Sequence, residues 1–212
     1  MDVTWLGHAC FRLRGRSTAV VTDPYPPSLG PKLSRLDADL VTVSHGHPNH
    51  SYVRAVGADA HVIEGPGEYE VLGVTVLGLP TFHDTTSGAE HGRNTVYVIE
   101  LDEVRVCHLG DLGHRLGDDD LEAIGTLDVL LAPVGGRSGL SAVQAAEVVR
   151  QLEPRLVVPM HYALPAIKTE LEPVERFLKE MGVASAEPQP KLSTGPGSGD
   201  VETRVMVLEA RV

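Results

Sequence analysis

Four short apolar segments of this chain each end in a histidine or an aspartate, and this shared ending constrains the fold more than any other feature. The segment LVTVS is followed by His45, VTVLGLPTF by His83, VRVCHLG by Asp111 and RLVVPM by His161. Short runs rich in Val and Leu are typical of buried strands. We therefore expect four strands whose carboxyl ends point to one place, where imidazole and carboxylate groups meet.

The order of the remaining segments predicts sheets covered by helices. VTWLG, CFRLRG and TAVVTD predict an opening meander, and NTVYVIEL with EVRVCHLGD predicts a hairpin across an Asp-Glu turn. Helices are predicted at DDDLEAIG, at SAVQAAEVVRQLEP with Ser141 as N-cap, and at LEPVERFLKEMG, whereas VETRVMVLEA predicts a last strand. Because 212 residues can bury one large core and no linker interrupts them, we expect a single α/β domain over residues 1–212.

Charge and composition exclude several classes of function. The formal net charge of −11 opposes binding to DNA or RNA. No apolar stretch approaches the roughly 18 residues that a membrane span needs, and the first residues do not resemble a secretory signal. Cys10 and Cys107 are too few for a disulfide framework. We therefore expect a cytoplasmic protein with two free, buried thiols, whose partner is a small molecule and neither nucleic acid nor membrane; a homo-oligomer is left open.

The segment VTVSHGHPNH has the spacing of a metal-binding turn. His45 and His47, two residues apart at a strand end, project to the same side, and the turn brings His50 across to face them. Neutral imidazole is a good ligand for zinc and related divalent ions, and three histidines with a water leave the open position that hydrolysis requires. A purely structural role for all three histidines is the weaker interpretation, because further His and Asp residues follow other strands. The pattern predicts a metal-dependent hydrolase.

Several motifs, taken in order, resemble those of a known family. HGHPNH, the downstream His83, HLGD and PMHY resemble the H-x-H-x-[DN]-H signature and later ligands of the metallo-β-lactamase-fold hydrolases. WLGHACFRL, TDPY and PVGG are similar to the small single-domain branch that includes ascorbate-6-phosphate lactonase-like proteins. The resemblance covers nearly the whole chain. It implies a four-layer αββα sandwich, in which two mixed β-sheets are flanked by helices and the metal centre lies at one edge between the sheets.

The resemblance also implies a ligand set. The first ion would be held by His45, His47 and His83, the second by His50 and His161, and Asp111 would bridge the two. One or two zinc ions are implied, with manganese or iron as alternatives. Asp111 would orient a metal-bound hydroxide that attacks a small ester, lactone or phosphodiester. Where the family usually has an acid, this chain has Asn49, whose amide oxygen can coordinate but brings no charge, so we expect closer to one bound ion than two.

Residues near these motifs are candidates for supporting or substrate-binding roles: Asp23, His8, Tyr162 and His114. We expect Asp23 to orient its neighbours, and His8 either to face the site or to bond locally. Tyr162 and His114 could donate to a developing oxyanion, whereas His108 is expected to be structural.

Two other functions stay open. A non-catalytic metal-binding or regulatory protein is favoured by Asn49. A nuclease is disfavoured by the negative charge and by the lack of room for a domain that grips nucleic acid.

Overall fold

The computed structural model describes residues 1–33, 36–137, 139–197 and 202–211, and these residues form two β-sheets and three α-helices. In chain order the strands are β1 (Asp2–Trp5), β2 (Phe11–Arg14), β3 (Ala19–Thr22), β4 (Leu40–Val43), β5 (His61–Glu64), β6 (Gly67–Val71), β7 (Val74–Phe82), β8 (Arg93–Leu101), β9 (Val104–His108), β10 (Val129–Pro133), β11 (Leu156–Met160), β12 (Leu192–Ser193) and β13 (Arg204–Val205). The helices are α1 (Asp118–Ile124), α2 (Ala142–Leu152) and α3 (Val174–Glu180).

The first sheet is mixed and has the order β12-β1-β2-β3-β4-β5. Strands β1, β2 and β3 pair antiparallel, which confirms the predicted opening meander. Strands β3, β4 and β5 pair parallel. Strand β4, which carries the histidine-rich turn at its carboxyl end, is buried along its whole length.

The second sheet is also mixed and has the order β13-β11-β10-β9-β8-β7-β6. The predicted hairpin joins β8 to β9, and its turn residues Asp102 and Glu103 both have a positive φ, as a tight two-residue turn requires. The predicted last strand is shorter than expected. Only Arg204–Val205 pairs with β11, because Leu208 instead forms a bridge with Gln189; Val201 lies outside the described residues.

All three predicted helices are present, and α2 begins at its predicted cap. Ser141 Oγ accepts a hydrogen bond from the Gln144 amide at 3.4 Å, and the Gln144 side chain accepts one from the Ser141 amide at 3.0 Å. This reciprocal pair satisfies two amides at the helix start that would otherwise lack a partner. Among the described residues, no helix has both the length and the apolar character needed to cross a membrane.

One continuous core joins the two sheets. Trp5 and Leu40 of the first sheet belong to the same buried cluster as Ile99 and Leu130 of the second. Tyr97 on β8 reaches across and donates its hydroxyl hydrogen to the carbonyl of Val43 at 3.0 Å. The predicted α/β sandwich of two mixed sheets flanked by helices is therefore confirmed.

The two cysteines are free and buried, as predicted from their number and spacing. Burial raises the pKa of both the Cys10 and the Cys107 thiol above the ordinary value. Thiols in this state react slowly, because the thiolate is the nucleophile.

Candidate metal centre

Loops that follow four strands meet at one edge of the sandwich. Strand β4 belongs to the first sheet, whereas β7, β9 and β11 belong to the second. Backbone hydrogen bonds tie two of these loops to other segments: the Thr95 amide of β8 donates to Ser44 O at 2.8 Å, and the His161 amide donates to O of His8, in the loop after β1, at 3.0 Å. The Asp111 amide donates to Asn94 Oδ1 at 3.0 Å, which anchors the loop after β9.

The carboxylate of Asp111 lies at the centre of the site. Its Oδ2 atom is 2.9 Å from Nε2 of His83, 3.3 Å from Nε2 of His50 and 4.0 Å from Nε2 of His45. Its Oδ1 atom is 3.5 Å from Nε2 of His161 and has no hydrogen-bond partner among the described residues, although it is buried. A buried carboxylate with an unpartnered oxygen and four imidazole nitrogens around it is a donor set that fits a divalent cation.

Asp111 is ionised in this setting. Burial by itself raises the pKa of this carboxyl, but the neighbouring His161 and His50 more than offset it and hold the pKa well below the ordinary value. The centre therefore contributes one full negative charge toward a bound cation.

The predicted ligands fall into overlapping groups whose donor atoms lie within 4.8 Å of one another. These groups are His45, His83 and Asp111; His45, His47 and His50; and His8, His50 and His161. All five histidines predicted as ligands are thus brought to one place. Within the described residues, however, no group contains both His47 and His83, although the resemblance assigns them to one ion. The side chain of His47 lies on the exposed part of its turn, where Nδ1 accepts a hydrogen bond from the Asn49 amide at 3.2 Å.

The protonation states of His45 and His50 differ. Burial lowers the pKa of His45 to about 4, and the positive charge of His50 acts in the same direction. Burial also lowers the pKa of His50, but the carboxylates of Asp111 and Asp23 outweigh it and raise the pKa to about 10. His45 is therefore neutral and ready to bind a cation, whereas His50 must release a proton when it does so.

Asp23 orients two of the candidate ligands. It accepts the Ser44 amide at Oδ1 and the Ser44 hydroxyl at Oδ2, at 2.8 Å and 2.5 Å. Its Oδ2 atom is also 2.9 Å from Nδ1 of His50. Ser44 Oγ in turn lies 3.0 Å from Nδ1 of His45. Asp23 thus contacts the His50 ring directly, and the His45 ring through Ser44, in both cases at Nδ1, whereas the Nε2 atoms face Asp111.

Two of the sequence-predicted donors are directed away from the site. Both ring nitrogens of His114 bond to backbone: Nε2 accepts from the Phe82 amide at 3.1 Å, and Nδ1 donates to Arg115 O at 2.7 Å. The ring of Tyr162 packs against Trp5 with centroids 4.9 Å apart. Neither side chain is among the residues that line the cavity above the metal centre, so their expected role as donors to an oxyanion stays a prediction that this geometry does not favour.

A cavity of about 520 Å³ opens over the centre. Its lining includes candidate ligands and Asn49, together with Arg137 and the segment 168–171. The Arg137 guanidinium donates to the Glu170 carbonyl at 2.9 Å and to its carboxylate at 2.6 Å. Sequence reasoning missed Arg137 and Lys168, since neither belongs to a motif; their only local signal is that Arg137 directly follows PVGG.

The sequence and fold of this chain are similar to those of known proteins. Residues 2–161 match the family described as the beta-lactamase superfamily domain. A UPF0173 protein of Pyrococcus furiosus is 33% identical over 199 residues, covering 85% of this chain and 90% of that protein. A UPF0173 metal-dependent hydrolase of Methanopyrus kandleri is 30% identical over 218 residues, covering 86% of this chain and 94% of that protein. A crystal structure from Thermotoga maritima, of a proposed Zn-dependent hydrolase of the metallo-beta-lactamase superfamily, superimposes with a TM-score of 0.79 at 38% identity and covers 98% of this chain and 99% of that chain.

Proposed function

We propose that this chain, which belongs to the beta-lactamase superfamily and is a metal-dependent hydrolase, cleaves a small ester, lactone or phosphodiester at the centre built around Asp111. The observation that carries this proposal is the convergence of four histidine Nε2 atoms, from the loops after the three strands β4, β7 and β11, within 4.0 Å of the one buried carboxylate that follows β9. Imidazole-rich sites suit zinc, and manganese or iron are the alternatives.

The residues of the centre have different proposed roles in catalysis. Bound there, a divalent ion supplies Lewis-acid chemistry: it lowers the pKa of water towards neutrality and polarises the electrophilic atom of the substrate. His45, His83 and His47 would hold one ion, and His50 and His161 would hold the other. Asp111 lies between the two sets, where its ionised carboxylate would accept a hydrogen bond from the attacking water and orient it. Asp23 keeps the His50 ring in place throughout.

The cavity supports a small substrate with an anionic group. A volume of about 520 Å³ lies within the range of small-molecule sites. Lys168 contributes positive charge to the lining of this cavity, in a chain whose net charge is −11, whereas the charge of Arg137 is paired with the Glu170 carboxylate. A phosphorylated or carboxylated lactone or ester fits this arrangement. Two free, buried cysteines suit a reducing compartment, so we place the activity in the cytoplasm.

The test combines metal analysis with a substrate panel. Purified protein is analysed for zinc, manganese and iron, and is then assayed against lactones, esters, thioesters and phosphodiesters with and without a chelator. We expect bound metal, hydrolysis of a member that carries an anionic group, and loss of that activity on chelation. Asp111→Asn should lower kcat at least a hundredfold, whereas His61→Ala, on the exposed strand β5, should not change it. Hydrolysis that survives complete metal removal would contradict the proposal.

A further inference from the structure

His8 lies beside the half of the centre that contains His50 and His161. Its Nε2 atom is 3.1 Å from Nε2 of His50. Its ring centroid is 4.2 Å from that of His161, and one donor atom from each of the three rings lies within 4.8 Å of the others. Two imidazole nitrogens on one tetrahedral ion are on the order of 3.3 Å apart, so the spacing of His8 and His50 is that of two ligands of one ion.

The backbone holds His8 in this place against its ordinary preference. His8 has a φ of 54°, and His161, which it contacts, has a φ of 52°; both lie in the left-handed region that non-glycine residues rarely adopt. The His8 carbonyl accepts hydrogen bonds from Trp5 Nε1 and from the His161 amide, each at 3.0 Å. Strain that neighbouring residues retain in this way is typical of functional sites.

A structural role does not account for the His8 ring. A buried histidine with such a role has its nitrogens satisfied by backbone, as in His108, where Nε2 donates to Ala9 O at 2.9 Å and Nδ1 accepts from the Gly110 amide at 3.2 Å. His8 is only 2% exposed, yet its Nδ1 atom has no hydrogen-bond partner among the described residues, and Nε2 meets only another imidazole.

We propose that His8 is a ligand of the second metal ion and supplies the donor that an acid at position 49 would otherwise provide. This inference rests on the metal centre of the proposed function. His8, His50, His161 and Asp111 give the second ion four donors, which is the number that a tetrahedral zinc site takes. Since imidazole is neutral, His8 restores the number of ligands but not the negative charge, and the second ion stays the less tightly held of the two.

The first test removes the donor nitrogens of His8 but keeps its ring volume and its backbone carbonyl. Zn²⁺ is titrated calorimetrically into metal-free wild type and His8→Phe, with His61→Phe as the matched control on β5. We expect His8→Phe to weaken the weaker site at least tenfold and to leave the tighter site unchanged. Adding Asn49→Asp to His8→Phe should recover the lost affinity, because the carboxylate then replaces the missing donor. Unchanged affinity at both sites, or an equal loss at both, would overturn the assignment of His8 as a ligand.

The second test uses the wild-type protein and does not depend on a variant that folds. The chain is labelled with ¹⁵N-histidine and loaded with ¹¹³Cd²⁺, and metal–nitrogen couplings are measured by NMR. A coupling between ¹¹³Cd and a ring nitrogen of His8 is expected. Couplings to His50 and His161 without one to His8 would overturn this inference alone. If no histidine shows a coupling to the metal, the proposed function would be overturned as well.

Discussion

The carboxylate of Asp23 lies 2.9 Å from Nδ1 of His50, and both side chains are buried. Because Nδ1 is held by Asp23, the other ring nitrogen, Nε2, is turned toward the centre and lies 3.3 Å from the Asp111 carboxylate. Partners of this kind orient a metal ligand and raise its basicity without touching the ion. We therefore propose Asp23 as a positioning residue for the second ion of the proposed centre.

Replacing Asp23 with asparagine should weaken metal binding about 10- to 100-fold, which is the usual loss when the partner of a ligating histidine is removed. Competition with a chromophoric chelator measures the effect. The matched control is Asp128→Asn, because Asp128 also accepts a backbone amide, from Arg105 at 2.9 Å, but does not belong to the centre. Equal losses in both variants would indicate general destabilisation and contradict the positioning role.

Asn49→Asp should tighten the second metal site tenfold or more, or about 1.4 kcal/mol. Asn49 lines the cavity over the centre, and a carboxylate there would add a negative charge beside a dication. Wild-type protein should retain closer to one ion than two after dialysis, and the variant closer to two. Calorimetric titration of Zn²⁺ into both metal-free proteins gives the two affinities. The control variant Ser51→Asp, on the same turn, shows how much of the gain in affinity comes from added negative charge alone. Two equally tight metal sites in both wild type and Asn49→Asp would refute the expectation.

Gly135→Ala should reduce both stability and metal affinity. A Cβ atom at this position would lie 2.1 Å from the carbonyl oxygen of His161 and 3.0 Å from Cα of Tyr162, so the backbone that carries His161 must move. Overpacking of this kind lowers the free energy of unfolding by roughly 1–3 kcal/mol. Denaturant unfolding of the metal-free protein measures the loss. Gly57→Ala is the control, because its Cβ would meet nothing within 4 Å; a Gly135 variant as stable as this control would show that the loop yields freely.

The chain should form no stable complex with nucleic acid at physiological salt. Its formal net charge of −11 repels a polyanion, and release of counterions cannot compensate without a basic surface. Fluorescence anisotropy with single- and double-stranded probes tests this. Salt-sensitive binding tighter than about 1 μM would contradict the expectation and would favour the nuclease alternative.

Local patterns in the sequence predicted most of the secondary structure. The hairpin of β8 and β9 follows from an Asp-Glu pair between two apolar runs, and the start of α2 follows from Ser141 with Gln144 three residues later. These signals are readable because turn and cap preferences act within a few residues. The gathering of His45, His83, Asp111 and His161 was also predictable, since each directly follows a buried strand.

Only the tertiary structure decided which other side chains belong to the centre. His8 meets His50 across 42 residues of chain, and no local period encodes that contact. His114 sits next to the motif region, but the backbone of Phe82, 32 residues away, binds its ring and removes it from the site. Arg137 and Lys168 reach the cavity because folding brings the loops after β10 and β11 to one side of it. Strands and turns arise from neighbours in sequence, whereas the composition of the site depends on which distant loops the packed sheets bring into contact.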